Sequence, residues 1–423
     1  EDKVMSPALL VDLAKVRHNI DVVLGLMHGD ANRWRPHLKT TKCSRVWLEA
    51  LRAGVRHFKV ATTREAAVLL RTVDELLVKE ANEDGAPETD AAPAADAAPA
   101  LADSARTPPT HPRMGDAIPE LDPLCPVTPW SAVVDVLIAY PLVGPAMRRA
   151  GQLARSHPWA RLSVLVECEE AAKDLPPRVG CFVDVNPGMN RTGINLGVAG
   201  DQGGSQRVVA TVAAAGAAFR GIHFYEGHLA ECCAAAGASA VEAAAAVVAR
   251  GARCAEAYET LADVVVAVNL SRGSGAHVVV QEVVTSGTPG FTAALAFDLK
   301  AAVDARLDAR TAGGTHAHVA HNPWPVHRVS PGTVVFHDWR GERQNPGMGL
   351  VPAAVLMARV VSIPAPGAVV TLDCGSKALA AEAGDPAGYV LGRPEWTAMA
   401  CSEEHLPCAI SPAGLAGDGG GSP

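Results

Sequence analysis

The sequence predicts an α/β protein built as a closed (β/α)8 barrel of the TIM type, followed by a smaller C-terminal β-domain. Short continuous apolar runs alternate with amphipathic or alanine-rich stretches up to about Asp338. Apolar strands separated by helices indicate a parallel sheet covered on both faces, and this many repeats favours a closed barrel over an open sheet. After Asp338 the pattern changes to strands and turns, which predicts the second domain.

The elements follow from these runs in chain order. The predicted barrel strands are Trp34–His37, Phe58–Ala61, Val133–Tyr140, Leu162–Glu167, Cys181–Val185, Gly221–Tyr225 and Val278–Thr285. The predicted helices include Arg64–Leu77, Ala238–Leu261 and Thr292–Leu307, and the predicted strands of the β-domain are Ala354–Ile363 and Ala368–Leu372. We therefore place the barrel at 6–338, the β-domain at 339–410 and a loose, Gly-rich tail at 411–423.

One segment of the barrel, residues 79–130, differs in composition from everything around it. Ala, Pro, Asp, Thr and Glu dominate it, as in APETDAAPAADAAPA, and it has no helical or strand periodicity. Such a segment cannot bury enough apolar surface to offset its chain entropy. We expect a disordered surface insertion there; a Pro-rich docking segment is the alternative.

The overall composition limits the classes of function. The formal net charge is −8 with no strong basic patch, which argues against nucleic acid as a partner. Charged residues or Gly interrupt every long apolar run, so we expect no membrane-spanning segment. The 10 Cys include no C-x-x-C pair, as is typical of a reducing compartment. We expect a cytoplasmic protein, although a removed targeting segment would leave no trace in a sequence that begins at Glu1.

Polar clusters follow the predicted strands at the end where barrels place their chemistry. They read RPHLKTTK (Arg35–Lys42), NPGMNRTG (Asn186–Gly193), YEGH (Tyr225–His228) and TSGTPG (Thr285–Gly290). In the last cluster, small residues precede a helix predicted to start near Thr292. Free N–H groups at a helix N-terminus bind phosphate, and Gly permits close approach. This turn is therefore a candidate phosphate site, with an ordinary helix cap as the alternative.

Lys39 and Lys42 are the candidate amines for a cofactor aldehyde. A lysine at a strand end that points into a barrel mouth can form a Schiff base. Three positions apart on an extended chain, the two side chains face opposite sides, so only one is expected to enter the mouth. Spacing leaves the choice open, and two solvated lysines are the alternative. Arg191, after the buried run FVDV, could contact an anionic group, cap a helix or pair with Asp184.

Taken in order, a set of blocks carries a family resemblance. The blocks are SPALLVDLAKVRHNI, RPHLKTTK, DVLIAYPLVGP, GMNRTG, YEGH, SGTP, SPGTVVF, DCGSKAL and SEEH. Together they resemble the D-threonine aldolase and D-serine dehydratase family, which are fold-type III pyridoxal 5'-phosphate (PLP) enzymes related to alanine racemase. The resemblance runs from about Ser6 to His405, apart from the insertion.

The resemblance implies a role for particular residues. The lysine of the family R-P-H-x-K motif forms the Schiff base with PLP, which selects Lys39 over Lys42. The other implied positions are Arg191 near the ring oxygen of PLP, Tyr225 against the cofactor, and Ser286, Gly287 and Thr288 around its phosphate. His37, two residues before Lys39, should project to the same side and is the candidate for assisting proton transfer.

The resemblance also implies a substrate class, a small D-amino acid with a β-hydroxyl group. Removal of the hydroxyl proton would lead to Cα–Cβ cleavage into glycine and an aldehyde, as in an aldolase. Removal of the Cα proton with loss of the hydroxyl would give a keto acid and ammonia, as in a D-serine or D-hydroxyaspartate dehydratase. An amino-acid racemase and a non-catalytic PLP-binding paralogue are further alternatives. A homodimer is an expected assembly.

The chain departs from the family pattern where a divalent metal, Mn or Zn, is expected. Family members usually carry a late H-x-C or H-x-D pair, but after SEEH this chain reads only LPCAISPAGLAGDGGGSP. The exit of the barrel, FHDWRGERQNPGMG, is also altered. The nearest substitute ligands are His405 and Cys408, with Cys401 before them. His316, His318 and His321 have a spacing compatible with a metal but lie in a segment predicted to be an exposed loop. We therefore expect weak or absent metal dependence.

Overall fold

The computed structural model describes residues 3–83, 134–196, 203–231, 239–271, 279–311, 324–380 and 386–411. The helices are α1 (Leu13–Leu26), α2 (Ser44–Arg52), α3 (Thr63–Glu83), α4 (Pro145–Ser156), α5 (Glu169–Lys173), α6 (Gly203–Ala215), α7 (Ala240–Leu270), α8 (Phe291–Ala296), α9 (Leu299–Thr311) and α10 (Trp339–Gln344). The strands are β1 (Ala8–Val11), β2 (His57–Val60), β3 (Asp135–Pro141), β4 (Arg161–Val166), β5 (Val179–Asn186), β6 (Ile194–Asn195), β7 (Phe219–Phe224), β8 (Glu282–Thr285), β9 (Val326–Val329), β10 (Ala354–Met357), β11 (Val360–Ala365), β12 (Val369–Leu372), β13 (Trp396–Ala398) and β14 (Leu406–Ile410). None of these helices is both long and apolar enough to cross a membrane.

The parallel sheet closes on itself. Its strands follow the order β2-β3-β4-β5-β7-β8-β9, and the short β6 pairs with β5 at one end. Residues 34–37 form an extended segment that completes the barrel as its eighth strand position. Trp34 bridges to Val329 on β9, and His37 bridges to Lys59 on β2. Backbone hydrogen bonds of 2.9 and 3.0 Å reinforce these two seams. The predicted (β/α)8 barrel is therefore confirmed.

Most predicted barrel elements correspond to observed ones, with three differences. The strand β9 was not predicted, because its four residues include His327 and Arg328 and form no apolar run. The predicted helix Thr292–Leu307 is two helices, α8 and α9, separated at Phe297 and Asp298. Helix α3 continues to Glu83, so the first residues of the predicted insertion are helical, and 84–133 lie outside the described residues.

The C-terminal part forms a separate antiparallel β-domain, as predicted. Its sheet has the order β11-β12-β14-β13 and covers a small apolar core of its own. The buried residues of that core are Val370, Leu372, Cys374, Ala398, Leu406 and Cys408. The N-terminal strand β1 pairs with β10 in an antiparallel two-stranded sheet, so the start of the described chain packs against the chain that leads into the β-domain. The predicted tail, from residue 412 onward, lies outside the described residues.

Side chains inside the barrel stack in three layers, because alternate residues of each strand face inward. At the N-terminal ends of the strands the layer consists of Arg35, His57, Asp135, Glu282 and Arg328. The middle layer is apolar and consists of Leu137, Leu165, Phe182 and Val284, with Ala139 packed against it. The layer at the C-terminal ends is polar and lines a cavity. The barrel is thus a filled core at one end and a binding chamber at the other.

The first layer is a closed ionic network. Arg35 donates from Nε to Glu282 at 2.7 Å and from Nη1 to Asp135 at 2.9 Å, while Arg328 lies 2.6 Å from Glu282 and 3.0 Å from His57. Burial opposes the charge of Arg35, but the two carboxylates outweigh burial and raise its pKa. Because the pairing is mutual, removing one partner leaves an unpaired charge in the barrel.

We expect Glu282→Ala to lower the free energy of unfolding by about 3–5 kcal/mol, because the substitution leaves two buried guanidiniums without their shared carboxylate. Urea unfolding followed by circular dichroism measures the change. Glu403→Ala serves as the matched control, since Glu403 pairs with Lys377 on the surface with 76% of its side chain exposed. A loss no greater than that of the control would show that the network does not stabilise the barrel.

Candidate active site

A cavity of about 690 Å³ opens at the C-terminal ends of the barrel strands. Its walls come from residues 37–40, from strands β2, β3 and β7, and from the loops after β5, β7, β8 and β9. Helix α10 lies at the rim. Its lining includes the cationic side chains Lys39, Lys59, Arg191 and Arg340, and of the described carboxylates only Asp338. This excess of positive charge favours an anionic ligand.

The two candidate lysines have different surroundings. Lys39 lies on the 3-10 turn Leu38–Thr40 and lines the cavity. Burial and the nearby Arg191 lower the pKa of Lys39. Lys42 lies outside the cavity lining, in a left-handed backbone conformation with φ of 44°, and its Nζ is 3.7 Å from Glu65. Lys39 is therefore the member of the pair whose side chain borders the cavity, as the family motif implies.

His37 also lines the cavity. Its Nδ1 accepts a hydrogen bond from the backbone N–H of Lys39 at 3.4 Å. Burial, together with the charges of Lys59 and Lys39, lowers the pKa of His37 far below its ordinary value. The ring is therefore neutral at physiological pH, and its Nδ1 holds the turn that carries Lys39.

Arg191 and Tyr225 contact each other in the cavity wall. The guanidinium carbon of Arg191 lies 5.3 Å from the centroid of the Tyr225 ring, and Nζ of Lys59 lies 5.2 Å from the same centroid. Burial and the carboxylate of Glu226 raise the pKa of the Tyr225 phenol. Within the described ranges Arg191 forms no ion pair with Asp184, so the structure does not realise that alternative.

The turn at Ser286, Gly287 and Thr288 lies beside Tyr225 in the same cavity. Ser286 has a φ of 59°, and its N–H donates to Glu226 at 3.1 Å, so this group is not available to a ligand. The Ser286 hydroxyl is buried and has no partner among the described residues. The N–H groups of Gly287 and Thr288 also find no acceptor there. The turn therefore offers a hydroxyl and two backbone donors to an anion.

Two cavity residues escape the sequence analysis, Lys59 on β2 and His223 on β7. Each is only 4% exposed, and each stands inside an apolar run at an inward-facing position. The ring Nδ1 of His223 lies 2.7 Å from Oδ1 of Asp184. Burial and the charge of Lys59 lower the pKa of His223, so its ring is neutral. A polar residue between two apolar neighbours within a strand is the signal that could have found both, since Lys59 follows Phe58 and His223 follows Ile222.

Among the described residues, one group has the spacing of metal ligands: His57, Asp135 and Glu282, whose ligand atoms lie within 4.8 Å of one another. This group is the ionic layer at the opposite end of the barrel from the cavity. Arg35 and Arg328 already donate to all three side chains. Two guanidiniums repel an incoming cation, so the group is a structural network.

The substitute metal ligands near the C-terminus do not converge. Cys408 is fully buried in the core of the β-domain, whereas His405 is exposed in the turn before β14. Burial raises the pKa of Cys408, which disfavours the thiolate that binds a metal. The predicted cluster His316, His318 and His321 lies outside the described residues.

Comparisons with known proteins agree with this architecture. A family model described as "Putative serine dehydratase domain" matches residues 353–416. A D-threonine aldolase from Filomicrobium marinum is similar, with a TM-score of 0.64 and 20% identity over 96% of this chain and 82% of that one. The D-threo-3-hydroxyaspartate dehydratase from Delftia sp. HT23 gives a TM-score of 0.54 at 17% identity over 96% of this chain and 84% of that one. The comparison with curated proteins gives no match. The predicted fold and the predicted resemblance to the D-threonine aldolase and D-serine dehydratase family are confirmed.

We expect divalent metal to have little effect on the folded protein, because no described group with the spacing of metal ligands faces the cavity, and His405 is exposed while Cys408 is buried. The melting temperature should be the same after chelation with EDTA and after addition of Mn²⁺ or Zn²⁺. A melting temperature that falls on chelation and recovers with metal would contradict this. The same comparison with His405→Ala and Cys408→Ala would then test those two residues first.

Proposed function

We propose that this chain is a PLP-dependent lyase that cleaves small D-β-hydroxy amino acids into glycine and an aldehyde. One observation carries the proposal. The amine of Lys39 borders the same cavity as Arg191, Tyr225 and the turn at 286–288, which are the residues that the family resemblance assigns to PLP. These residues lie far apart in the sequence and meet only at the C-terminal ends of the barrel strands.

The residues of the cavity fit PLP. The cofactor is an anion with one phosphate group, and the wall is cationic. Among the described residues, the Ser286 hydroxyl and the N–H groups of Gly287 and Thr288 have no partner. Added side-chain atoms would crowd this wall, since a Cβ on Gly287 would come within 3.1 Å of the Tyr225 ring. The lowered pKa of Lys39 also increases the fraction of free amine that can react with an aldehyde.

Each residue has a definable task in the proposed reaction. Bound PLP would supply a conjugated ring that withdraws electrons from the bonds at the substrate Cα. Lys39 would provide the amine that joins the cofactor, and the 286–288 turn would hold its phosphate. Arg191 would offer a cation to an anionic oxygen of the cofactor or substrate. Cleavage of the Cα–Cβ bond additionally requires a group that accepts the proton of the β-hydroxyl.

A dehydratase is the second candidate function, because two observations favour it. The family model matching residues 353–416 is described as a serine dehydratase domain, and a D-threo-3-hydroxyaspartate dehydratase is among the similar structures. One variant of that dehydratase is described in a metal-free form, so activity measurements here need arms with and without Mn²⁺ or Zn²⁺. A dehydratase would release ammonia and a keto acid in place of glycine and an aldehyde.

Borohydride reduction of the protein with bound PLP should fix a pyridoxyl group on Lys39, because this amine alone of the neighbouring pair borders the cavity. Peptide mapping by mass spectrometry locates the label. Lys39→Met should lose both the label and the visible absorbance of bound PLP. Lys42→Met, the matched control three residues away, should keep both. A label on another lysine, or on none, would refute the assignment.

Turnover should prefer the D-enantiomer and yield glycine and acetaldehyde from D-threonine. The protein fixes which face of the cofactor meets the scissile bond, and the resemblance implies the face that suits D-substrates. The assay compares D-threonine and D-serine with their L-enantiomers, quantifying glycine, aldehyde, keto acid and ammonia. Equal or faster turnover of L-threonine would exclude the proposed class. PLP binding without any product would indicate the non-catalytic alternative.

A further inference from the structure

Lys59 is an unusual residue for the interior of a barrel. It is the third residue of β2, it faces inward, and it is 4% exposed, yet within the described part of the chain its Nζ has no hydrogen bond and no ion pair. Buried lysines are normally paired, because an isolated ammonium loses its hydration without compensation. Within the described residues, Nζ of Lys59 instead lies over the face of the Tyr225 ring, 5.2 Å from the ring centroid.

The carboxylates that attract Lys59, Asp184 and Glu226, each contact another side chain, and Oδ2 of Asp184 is buried with no hydrogen-bond partner among the described residues. Asp184 is bound by the ring of His223 at 2.7 Å. Glu226 accepts from the Tyr258 hydroxyl at 2.7 Å, and burial raises the pKa of this carboxyl. Neither carboxylate is within ion-pairing distance of Nζ. Attraction from both acts on Lys59 only over a distance.

The cations around Lys59 lower its pKa, against the attraction from the two carboxylates. Lys39 and Arg191 line the same cavity and disfavour a third positive charge there. Burial, followed by the charge of Lys39, lowers the pKa of Lys59 to about 7. His37 and His223 also border this space and are neutral. A substantial fraction of Lys59 is therefore a neutral amine with a free lone pair at neutral pH.

The position of this amine matters for a ligand attached at Lys39. Both lysines line one cavity, and Lys59 and Arg191 contact the same tyrosine ring, at 5.2 and 5.3 Å from its centroid. Leu137, the residue of β3 that pairs with Lys59, belongs to the apolar layer of the barrel. Lys59 therefore lies where the cavity meets that layer, largely shielded from bulk water.

We propose that Lys59 is a further catalytic residue, the acceptor of the β-hydroxyl proton of the substrate. This rests on the proposed lyase function. The hydroxyl O–H bond breaks as a bond from Nζ to hydrogen forms, and the oxygen electron pair becomes the second bond of the aldehyde carbonyl. The Cα–Cβ bond breaks at the same time and leaves its electron pair on Cα. The proton on Nζ, or one from water, then adds to Cα to give glycine, so D-threonine is converted to glycine and acetaldehyde with atoms balanced.

The protonation of Lys59 can be measured without turnover. In protein labelled with [ε-¹³C]lysine and holding bound PLP, one Cε signal should titrate well below those of the ordinary lysines, because the burial that lowers the pKa of Lys59 persists when PLP occupies Lys39, and this signal should be missing from Lys59→Arg. Ordinary lysines titrate at about 10.4. A Lys59 signal that titrates with the ordinary lysines would overturn the proposal, and it would do so whether or not the protein turns over any substrate.

Kinetic variants test the role itself. Because the neutral amine is the active form, kcat for D-threonine should fall on the acid side of its pH profile, as Lys59 becomes protonated. Lys59→Met and Lys59→Arg should each reduce kcat by about 100- to 10,000-fold and abolish this acid limb, since neither can accept the proton. Arginine keeps the charge, so its failure separates proton transfer from electrostatic support. Lys42→Met, the control on an exposed lysine, should keep kcat and the limb.

Asp184→Asn tests the same assignment through the direction in which the acid limb of the pH profile moves. Removing this anion withdraws an attraction that favours the ammonium, so the pKa of Lys59 should fall and the acid limb should move to lower pH. A limb that moves upward would contradict the assignment of the base. If the wild-type chain cleaves D-threonine and Lys59→Met retains its kcat and pH profile, only the role of Lys59 fails. If the wild type cleaves no D-β-hydroxy amino acid, the lyase proposal itself fails.

Discussion

Closure of the barrel by residues 34–37 is the constraint on which the rest of the structure depends. This segment is only four residues long and bridges β9 on one side and β2 on the other. Arg35 holds the segment from inside the barrel through hydrogen bonds to two buried carboxylates. The chain leaves the barrel wall at His37, and this places Lys39 in the lining of the cavity.

The two ends of the barrel use charge in opposite ways. At the N-terminal ends of the strands, guanidiniums and carboxylates pair with one another inside the barrel. At the C-terminal ends, cations outnumber described carboxylates, and the amine of Lys59 has no hydrogen bond or ion pair within the described part of the chain. The apolar layer of Leu137, Leu165, Phe182 and Val284 separates the two ends. The unbalanced charge at one end is what a phosphorylated cofactor and an amino-acid carboxylate would neutralise.

Sequence patterns predicted the fold and much of the cavity because both follow local rules. The strand-end rule brought the clusters around Lys39, Arg191, Tyr225 and Ser286 to one side of a barrel, and all four residues line one cavity. The ionic layer could not be predicted in this way, since Arg35 and Glu282 are 247 residues apart and nothing local links them. Strand β9 was missed because polar residues occupy half of its four positions.

Lys59 shows why chemistry can be hidden inside an apolar strand. In sequence it is a single charge in HFKV, which reads as a solvated interruption. Barrel closure turns that position inward, where the nearby carboxylates of Asp184 and Glu226 contact His223 and Tyr258 and form no ion pair with Lys59 among the described residues. The surroundings of Lys59 thus come from three strands, β2, β5 and β7, and helix α7 together, which no window of sequence contains.

We expect this cavity to bind PLP, with residues 34–37 positioning Lys39. A crystal structure of the protein grown with PLP tests this expectation most directly. The ligand density should be continuous with Nζ of Lys39, with the phosphate at the 286–288 turn and the ring beside Arg191 and Tyr225. Density attached to another lysine, a phosphate bound away from that turn, or PLP bound outside the barrel mouth would contradict the account.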